Sequence, residues 1–267
     1  MCLILFSYQP DSTTPLVLAA NRDEFFKRES QSAAYWHDAP QVLAGRDLVA
    51  GGTWLGVTTA GRFAAVTNVR EPVLPGKKLR SRGDLTREFL CGDMPAKDFL
   101  EQLQTHGDDY AGFNLLVGEF SDTSANSLYY FSNRREGITQ LTSGTYGLSN
   151  HLLDSPWPKV DDGKHELDAV LNKTGSDTLD HELIRQVLEK PNKAADHRLP
   201  DTGVGYEREK NLSPAFITLN DYGTRTSTVL VIDKNGVSFS EQNYQPSSDD
   251  RVNKVEPKSD FAFVIGK

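Results

Sequence analysis

The 267-residue chain holds only two cysteines, Cys2 and Cys91, and neither belongs to a Cys-x-x-Cys pair. That excludes a disulfide-stapled scaffold and a cysteine-rich zinc module. It also predicts a reducing compartment. Metal ligation has little else to build on. The six histidines stand at 37, 106, 151, 165, 181 and 197, with no His-x-x-x-His or His-Glu-x-x-His spacing, so no metal site is expected. A Cys-x-x-Cys-His haem attachment site is also missing. No apolar run approaches the ~20 residues needed to span a bilayer, so no transmembrane segment is expected. The N-terminal apolar run ends at Phe6 without a basic leader, which predicts no secretory signal and a cytoplasmic location. Basic excess is lacking too. Lys and Arg total 29 against 37 Asp and Glu, a net charge of −8, which argues against nucleic acid or an anionic membrane as a main partner. The glycine-rich GGTWLG at 51–56 lacks the lysine and the strand–turn–helix setting of a phosphate loop.

What is present fits one globular domain over residues 1–267. LILFSY (3–8) and LVLAA (16–20) read as adjacent strands across a Pro/Asp/Ser/Thr turn. TWLGVTT (53–59) and FAAVTNV (63–69) read as a hairpin around Gly61, followed by a loop, VREPVLPGKK. Residues 81–90 and 95–106 carry Leu and Phe at three- and four-residue spacing and read as helices. Strands return at FNLLVGEF (113–120) and SLYYFSN (127–133), with one more short strand in ITQLTS. KHELDAVLNK and LDHELIRQVLEK form a second helical pair across TGSD, with Asp177 or Thr178 as the cap of the latter. Residues 191–213 are polar and aperiodic and read as a long loop, of a length uncommon unless functional. Strands are expected at AFITLN (215–220), TSTVLVID (226–233) and GVSFSEQNY (236–244). The stretch 245–260 reads as a surface tail and FAFVI (261–265) as a last edge strand.

The order is strands, two helices, strands, two helices, strands, and the tight turns imply antiparallel pairing. That disfavours a doubly wound nucleotide fold, which alternates strand and helix. It fits an α+β class: a four-layer αββα sandwich of two mostly antiparallel sheets flanked by helices.

Cys2 directly follows the start methionine, and NRDE (21–24) ends the second strand. Initiator methionine is normally removed ahead of a residue as small as cysteine. Cys2 would then carry both a thiol nucleophile and, in its α-amine of pKa about 8, a base that works near neutrality. A hairpin partner of strand 3–8 would lie beside Cys2. Arg22 is then placed to orient the thiolate, and Asp23 to hold the amine. The bland alternative is an ion-pair network of Arg22, Asp23 and Glu24 that fixes a strand end. Gly51, Gly52 and Gly56 suggest a bulge or a close backbone approach. Trp54 is expected in the core before a pocket wall, and His151 in a loop.

With its N-terminal Met-Cys, NRDE resembles the NRDE family, also called the transport and Golgi organisation protein 2 family. The resemblance includes GRD at 45–47, GGTWLG at 51–56, Thr67–Asn68, GFNLL at 112–116, GLSN at 147–150 and YGTRTST at 222–228. That family in turn resembles, more distantly, N-terminal nucleophile (Ntn) hydrolases of the penicillin V acylase and bile salt hydrolase type. The resemblance implies Cys2 as nucleophile and Arg22 and Asp23 as the early pair. In the hydrolases two residues separate that pair, whereas here they are adjacent. It further implies Asn68 and Asn150 as the two asparagines, with Asn150 placed first as oxyanion donor, and Arg225 as the late arginine near the thiol. A neutral amide suits that donor role because it offers the nucleophile no competing ion pair. For Asn68 and Asn150 the alternative is turn chemistry at strand ends.

Two functions follow. One is a cysteine amidohydrolase acting on C–N bonds other than peptide bonds, cutting a small linear amide, thioester or ester through an acyl-enzyme without a cofactor. The other is a non-catalytic binding protein using the same cleft, since members of the resembled family are linked to haem mobilisation, to lipid or acyl-coenzyme A metabolism and to secretory organisation. The expected partner is a small amide, acyl or haem-like ligand in either case. A deep polar pocket at Cys2 would favour the enzyme, and a wide apolar groove with Cys2 buried would favour the carrier.

Overall fold

The computed structural model describes residues 2–72, 79–121, 125–173, 179–246 and 252–266. Thirteen strands and five α-helices of the described residues alternate in blocks. The first block is β1 (Cys2–Tyr8), β2 (Leu16–Phe25), β3 (Ser30–Trp36), β4 (Ala39–Asp47), β5 (Leu55–Thr58) and β6 (Arg62–Asn68). Helices α1 (Gly83–Cys91) and α2 (Ala96–Gln104) follow, then β7 (Phe113–Glu119), β8 (Ser127–Ser132), β9 (Thr139–Gln140) and β10 (Gly144–Leu148). Helices α3 (Pro158–Lys173), α4 (His181–Gln186) and α5 (Tyr206–Asn211) precede β11 (Tyr222–Asp233), β12 (Gly236–Pro246) and β13 (Val252–Phe263). One sheet has the order β10-β1-β2-β11-β12-β13 and the other β3-β4-β5-β6-β7-β8-β9. Every strand pairing is antiparallel. The architecture is the expected α+β sandwich, helix layer, two sheets, helix layer.

Strand alternation explains the layering. On β1, Ile4, Phe6 and Tyr8 point between the sheets, where they meet Leu43, Val57, Phe63 and Leu116. Leu3 and Leu5 point the other way and pack under α3 and α4 with Val160, Leu167 and Ile184. On β2, Leu16, Leu18 and Ala20 belong to the inter-sheet core, and Val17 and Ala19 to the helix side. The second sheet's outer face, with Ala64, Val66, Leu115 and Val117, is covered by Leu85, Phe89 and Leu90 of α1 and Leu100 and Leu103 of α2. Full burial of each such leucine or phenylalanine stabilises by about 1.5–3 kcal/mol.

Several elements differ from the sequence reading. The hairpin β3–β4 went unseen because its residues do not alternate cleanly. Register shifts interrupt its pairing between Gln31 and Ala34 and between Tyr35 and Trp36, and Pro40 lies inside β4. Residues 215–220 form no strand. Only Thr218 makes an isolated bridge, to Gly223, while the Ala215 carbonyl accepts from Asn21. The supposed surface tail contains β13, which pairs with β12 along the sheet edge. Helix α3 starts early, at Pro158, as suits proline in a first turn. The cap of α4 is Asp180, whose carboxylate accepts from the Glu182 amide. Asp177 and Thr178 lie outside the described residues. The 191–213 segment is not all loop, since it contains α5 and the buried Glu209.

Candidate active site

Cys2 sits directly opposite Arg22 in the β1–β2 ladder. Side chains so paired share one face, with Cβ atoms about 5 Å apart. Both residues continue the inter-sheet series, and both reach a cavity of about 390 Å³ where the two sheets open. The second sheet and its flanking loops supply the facing wall, with Thr53, Trp54, Thr67, Asn68 and Arg82, while β12 supplies Glu241. Cys2 is buried, at 7% exposure, and burial pushes its thiol up from the ordinary range while the Arg22 charge pulls the other way. The carbonyl of Cys2 accepts from Ser149 Oγ at 3.0 Å. The Ser149 carbonyl accepts from Thr67 Oγ1 at 2.7 Å, so the second sheet is tied to the backbone of Cys2.

Of the GGTWLG glycines, Gly52 and Gly56 make the expected close approaches, whereas Gly51 has open space and a left-handed backbone, φ 75°. A Cβ at Gly52 would fall 2.3 Å from the Gly83 carbonyl, and one at Gly56 would fall 2.8 Å from Ala44 and from Leu90. They let α1 press against the sheet beside the cavity. Trp54 borders the cavity and also packs on both neighbouring core clusters.

Asp23 follows Arg22 and faces the helix side. It is fully buried. Its Oδ1 accepts from Thr224 Oγ1 at 2.8 Å, and its carbonyl accepts from Tyr222 Oη at 3.0 Å. Burial raises its carboxyl, opposed chiefly by the Lys159 charge. Arg225 occupies a bulge between Thr224, opposite Asp23, and Thr226, opposite Arg22. The extra residue turns outward. Its Nη1 donates to the carbonyls of Phe25 (2.9 Å), Phe26 (3.2 Å) and Arg28 (3.0 Å). Arg225 therefore clamps the chain leaving β2 and is not among the residues lining the cavity.

The two asparagines meet across the sheets. Asn150 Nδ2 donates to Asn68 Oδ1 at 2.9 Å and to the Asn68 carbonyl at 3.2 Å. Asn150 is completely buried, and Asn68 alone of the two lines the cavity. Asn68 Nδ2 has one long contact, 3.4 Å, to the Val69 carbonyl. The arrangement orders the pair: Asn150 fixes the amide plane of Asn68, and Asn68 presents it. His151 contacts Ser155 at 2.7 Å in its loop.

Four functional-looking residues escaped sequence reasoning. Lys159 of α3 is buried, donates to the Leu212 carbonyl at 3.1 Å and is pushed down to about 8 by burial. Arg70 and Glu209 form a buried ion pair, with the Arg70 guanidinium 4.6 Å from the Trp157 ring. Arg82 lines the cavity. No local pattern marks any of them, and only the tertiary fold buries Lys159, Arg70 and Glu209.

Comparison with known proteins shows the family and the fold. The profile of the family described as Transport and Golgi organisation 2 matches residues 1–246. This chain belongs to that family. The Transport and Golgi organization protein 2 homolog of Bos taurus is 37% identical over 260 residues, covering 91% of this chain and 92% of the relative. The Homo sapiens homolog is 36% identical over 256 residues with the same coverage. Among solved structures, a variant of the conjugated bile acid hydrolase from Clostridium perfringens superposes with a TM-score of 0.50 at 10% identity, covering 100% of this chain and 99% of the other. That likeness concerns the fold, and it places this Transport and Golgi organisation 2 member on an Ntn-hydrolase-like αββα sandwich.

Proposed function

We propose that this protein is a cytoplasmic cysteine amidohydrolase, one Ntn-hydrolase-like unit, cleaving the C–N bond of a small linear amide, or a related thioester or ester. The observation that carries the reading is the convergence of Cys2, Arg22 and Asn68 on one polar cavity. Five arginines and the carboxylates of Glu24, Asp47 and Glu241 line that cavity. A carrier for haem or an acyl ligand calls for an apolar groove instead. The cysteines are free, Cys2 buried and Cys91 exposed, which suits a reducing compartment.

In this mechanism Met1 is removed and the α-amine of Cys2 takes the thiol proton as sulfur attacks the carbonyl. Burial keeps the resting thiol protonated, so deprotonation is coupled to attack. The tetrahedral oxyanion is held by Asn68 Nδ2, which Asn150 keeps in place. Arg22 stabilises the developing negative charge on sulfur. Asp23, next to the register partner of Cys2, orients the α-ammonium. The ammonium returns its proton to the leaving amine, the C–N bond breaks, and a thioester remains. Water then attacks the thioester and releases the acid and the thiol.

The test is the intact mass of protein purified from its native host, followed by acyl-enzyme trapping with amide and thioester substrates. Loss of one methionine and an adduct absent from Cys2→Ser are expected. Full retention of Met1 overturns the mechanism.

A further inference from the structure

Of the five arginines that line the cavity, three are held in ion pairs. Arg28 pairs with Asp47 at 2.7 Å, Arg46 pairs with Asp38, and Arg80 pairs with Glu88. Arg22 and Arg82 have no such partner. Among the described residues neither forms an ion pair. Arg82 donates through Nη1 to the Gly112 carbonyl at 3.1 Å, a neutral acceptor. Arg22 is more extreme: it is 9% exposed, and its enclosed Nη1 has no hydrogen-bond partner. The carboxylates within electrostatic reach, Glu24 and Glu71 for Arg82 and Glu241 for Arg22, form no ion pair with either. Glu241 Oε1 accepts from the Ala33 amide at 2.7 Å and from Asn243 Nδ2 at 3.2 Å, and burial favours its neutral form. Glu24 accepts from the Phe25 amide at 2.9 Å. A guanidinium cannot shed its proton at ordinary pH, and a buried donor left unpaired destabilises the fold. Arg22 and Arg82 both border the same cavity as Cys2, and the Arg82 guanidinium lies within electrostatic reach of the Cys2 sulfur.

We infer that this cavity takes an anionic small molecule, its carboxylate or phosphate group received by Arg22 and Arg82 while its reactive carbon faces Cys2. The inference rests on the reading of the cavity as a reaction site, and it names the charge of what enters. Arginine suits either oxyanion through its planar fork.

The test uses the full chain and two alkylating agents of nearly equal size, iodoacetate and iodoacetamide. In both, sulfur displaces iodide, an S–C bond forms as the C–I bond breaks, and the thiol proton goes to solvent. Peptide mass spectrometry reads the rates at Cys2 and at Cys91 in one sample, with N-acetylcysteine amide as the free-thiol reference. The iodoacetate to iodoacetamide rate ratio at Cys2 is expected to exceed both references by about tenfold or more, as an electropositive cleft concentrates anions. Arg82→Gln should lower that ratio severalfold. Acetate and inorganic phosphate, each at constant ionic strength, distinguish the two anion types by which one protects Cys2. Where burial blocks both reagents, the thermal midpoint in those anions decides. It should rise in the wild type and not in Arg82→Gln. A ratio at Cys2 equal to the references, or unchanged in both Arg22→Gln and Arg82→Gln, overturns the inference, as does a midpoint insensitive to both anions. Anion preference without any turnover would leave the inference standing and remove the hydrolase. Turnover of neutral amides without anion preference would do the reverse.

Discussion

The Arg70–Glu209 pair joins the long 191–213 segment to the wall behind the candidate oxyanion donor, and its loss should be felt in stability. The two side chains are 5% and 3% exposed, so the 0–1 kcal/mol typical of surface pairs does not apply. Removing one partner of a buried pair costs about 3–5 kcal/mol, because the other charge is left in the interior. Glu209→Gln isolates that effect. It keeps the shape, opens no cavity and retains an acceptor for the Thr202 amide, now 3.0 Å away. Among the described residues Arg70 has no second ion pair; Asp23, the opposite charge within electrostatic reach, is held by Thr224 and balanced chiefly by Lys159. Arg70 Nε and Nη2 have no hydrogen-bond partner, Lys159 nearby has the same sign, and the Trp157 face offers about 0.5–2 kcal/mol. A loss of about 3 kcal/mol is therefore expected. With a urea m-value of 1–3 kcal/mol/M, that lowers the midpoint by roughly 1–3 M. Adding Arg70→Met removes the stranded charge and should restore most of the stability, since replacing both partners of a buried pair is often neutral. A loss under about 1 kcal/mol in Glu209→Gln at unchanged m, or a double variant no more stable than the single one, would refute the reasoning.

Two further outcomes test the site. Asn68→Ala should slow single-turnover acylation of Cys2 by an activated ester by about 10²–10³-fold, the usual effect of removing one oxyanion donor. Near-equal rates would remove Asn68 from that role. The Lys159 ammonium, pushed down to about 8 in the fold against an ordinary value near 10.4, fixes the sign of a pH effect. Between those values the unfolded chain holds the extra proton, so stability rises with pH across the window, and below about 8 the buried charge destabilises the fold. Relative to Lys159→Met, the wild type should gain about 2 kcal/mol from pH 8 to pH 10 in urea titrations. A parallel pH profile for the two proteins would mean that Lys159 is hydrated.

What was legible in the sequence was whatever its own neighbours mark. The β1–β2 pair and the β5–β6 hairpin read as short apolar runs bounded by turn residues, and the α1–α2 pair as apolar residues recurring at three and four. The β3–β4 hairpin and the first part of β13, before the expected edge strand at 261–265, were missed because the edge strands β3 and β13 carry polar residues and need no alternation. Lys159, Arg70 and Glu209 were invisible for a related reason: no local pattern marks a charge that only distant packing buries. The adjacency of Arg22 and Asp23 is more instructive. Against the resembled hydrolases, where two residues separate such a pair, it reads as a departure. In a strand, however, side chains alternate with period two, so offsets of one and of three both send the second residue to the opposite face. Here Arg22 joins Cys2 in the cavity, and Asp23 turns to Thr224 and Lys159 under the helices. The spacing differs and the parity does not, and parity decides which layer of the sandwich each charge enters.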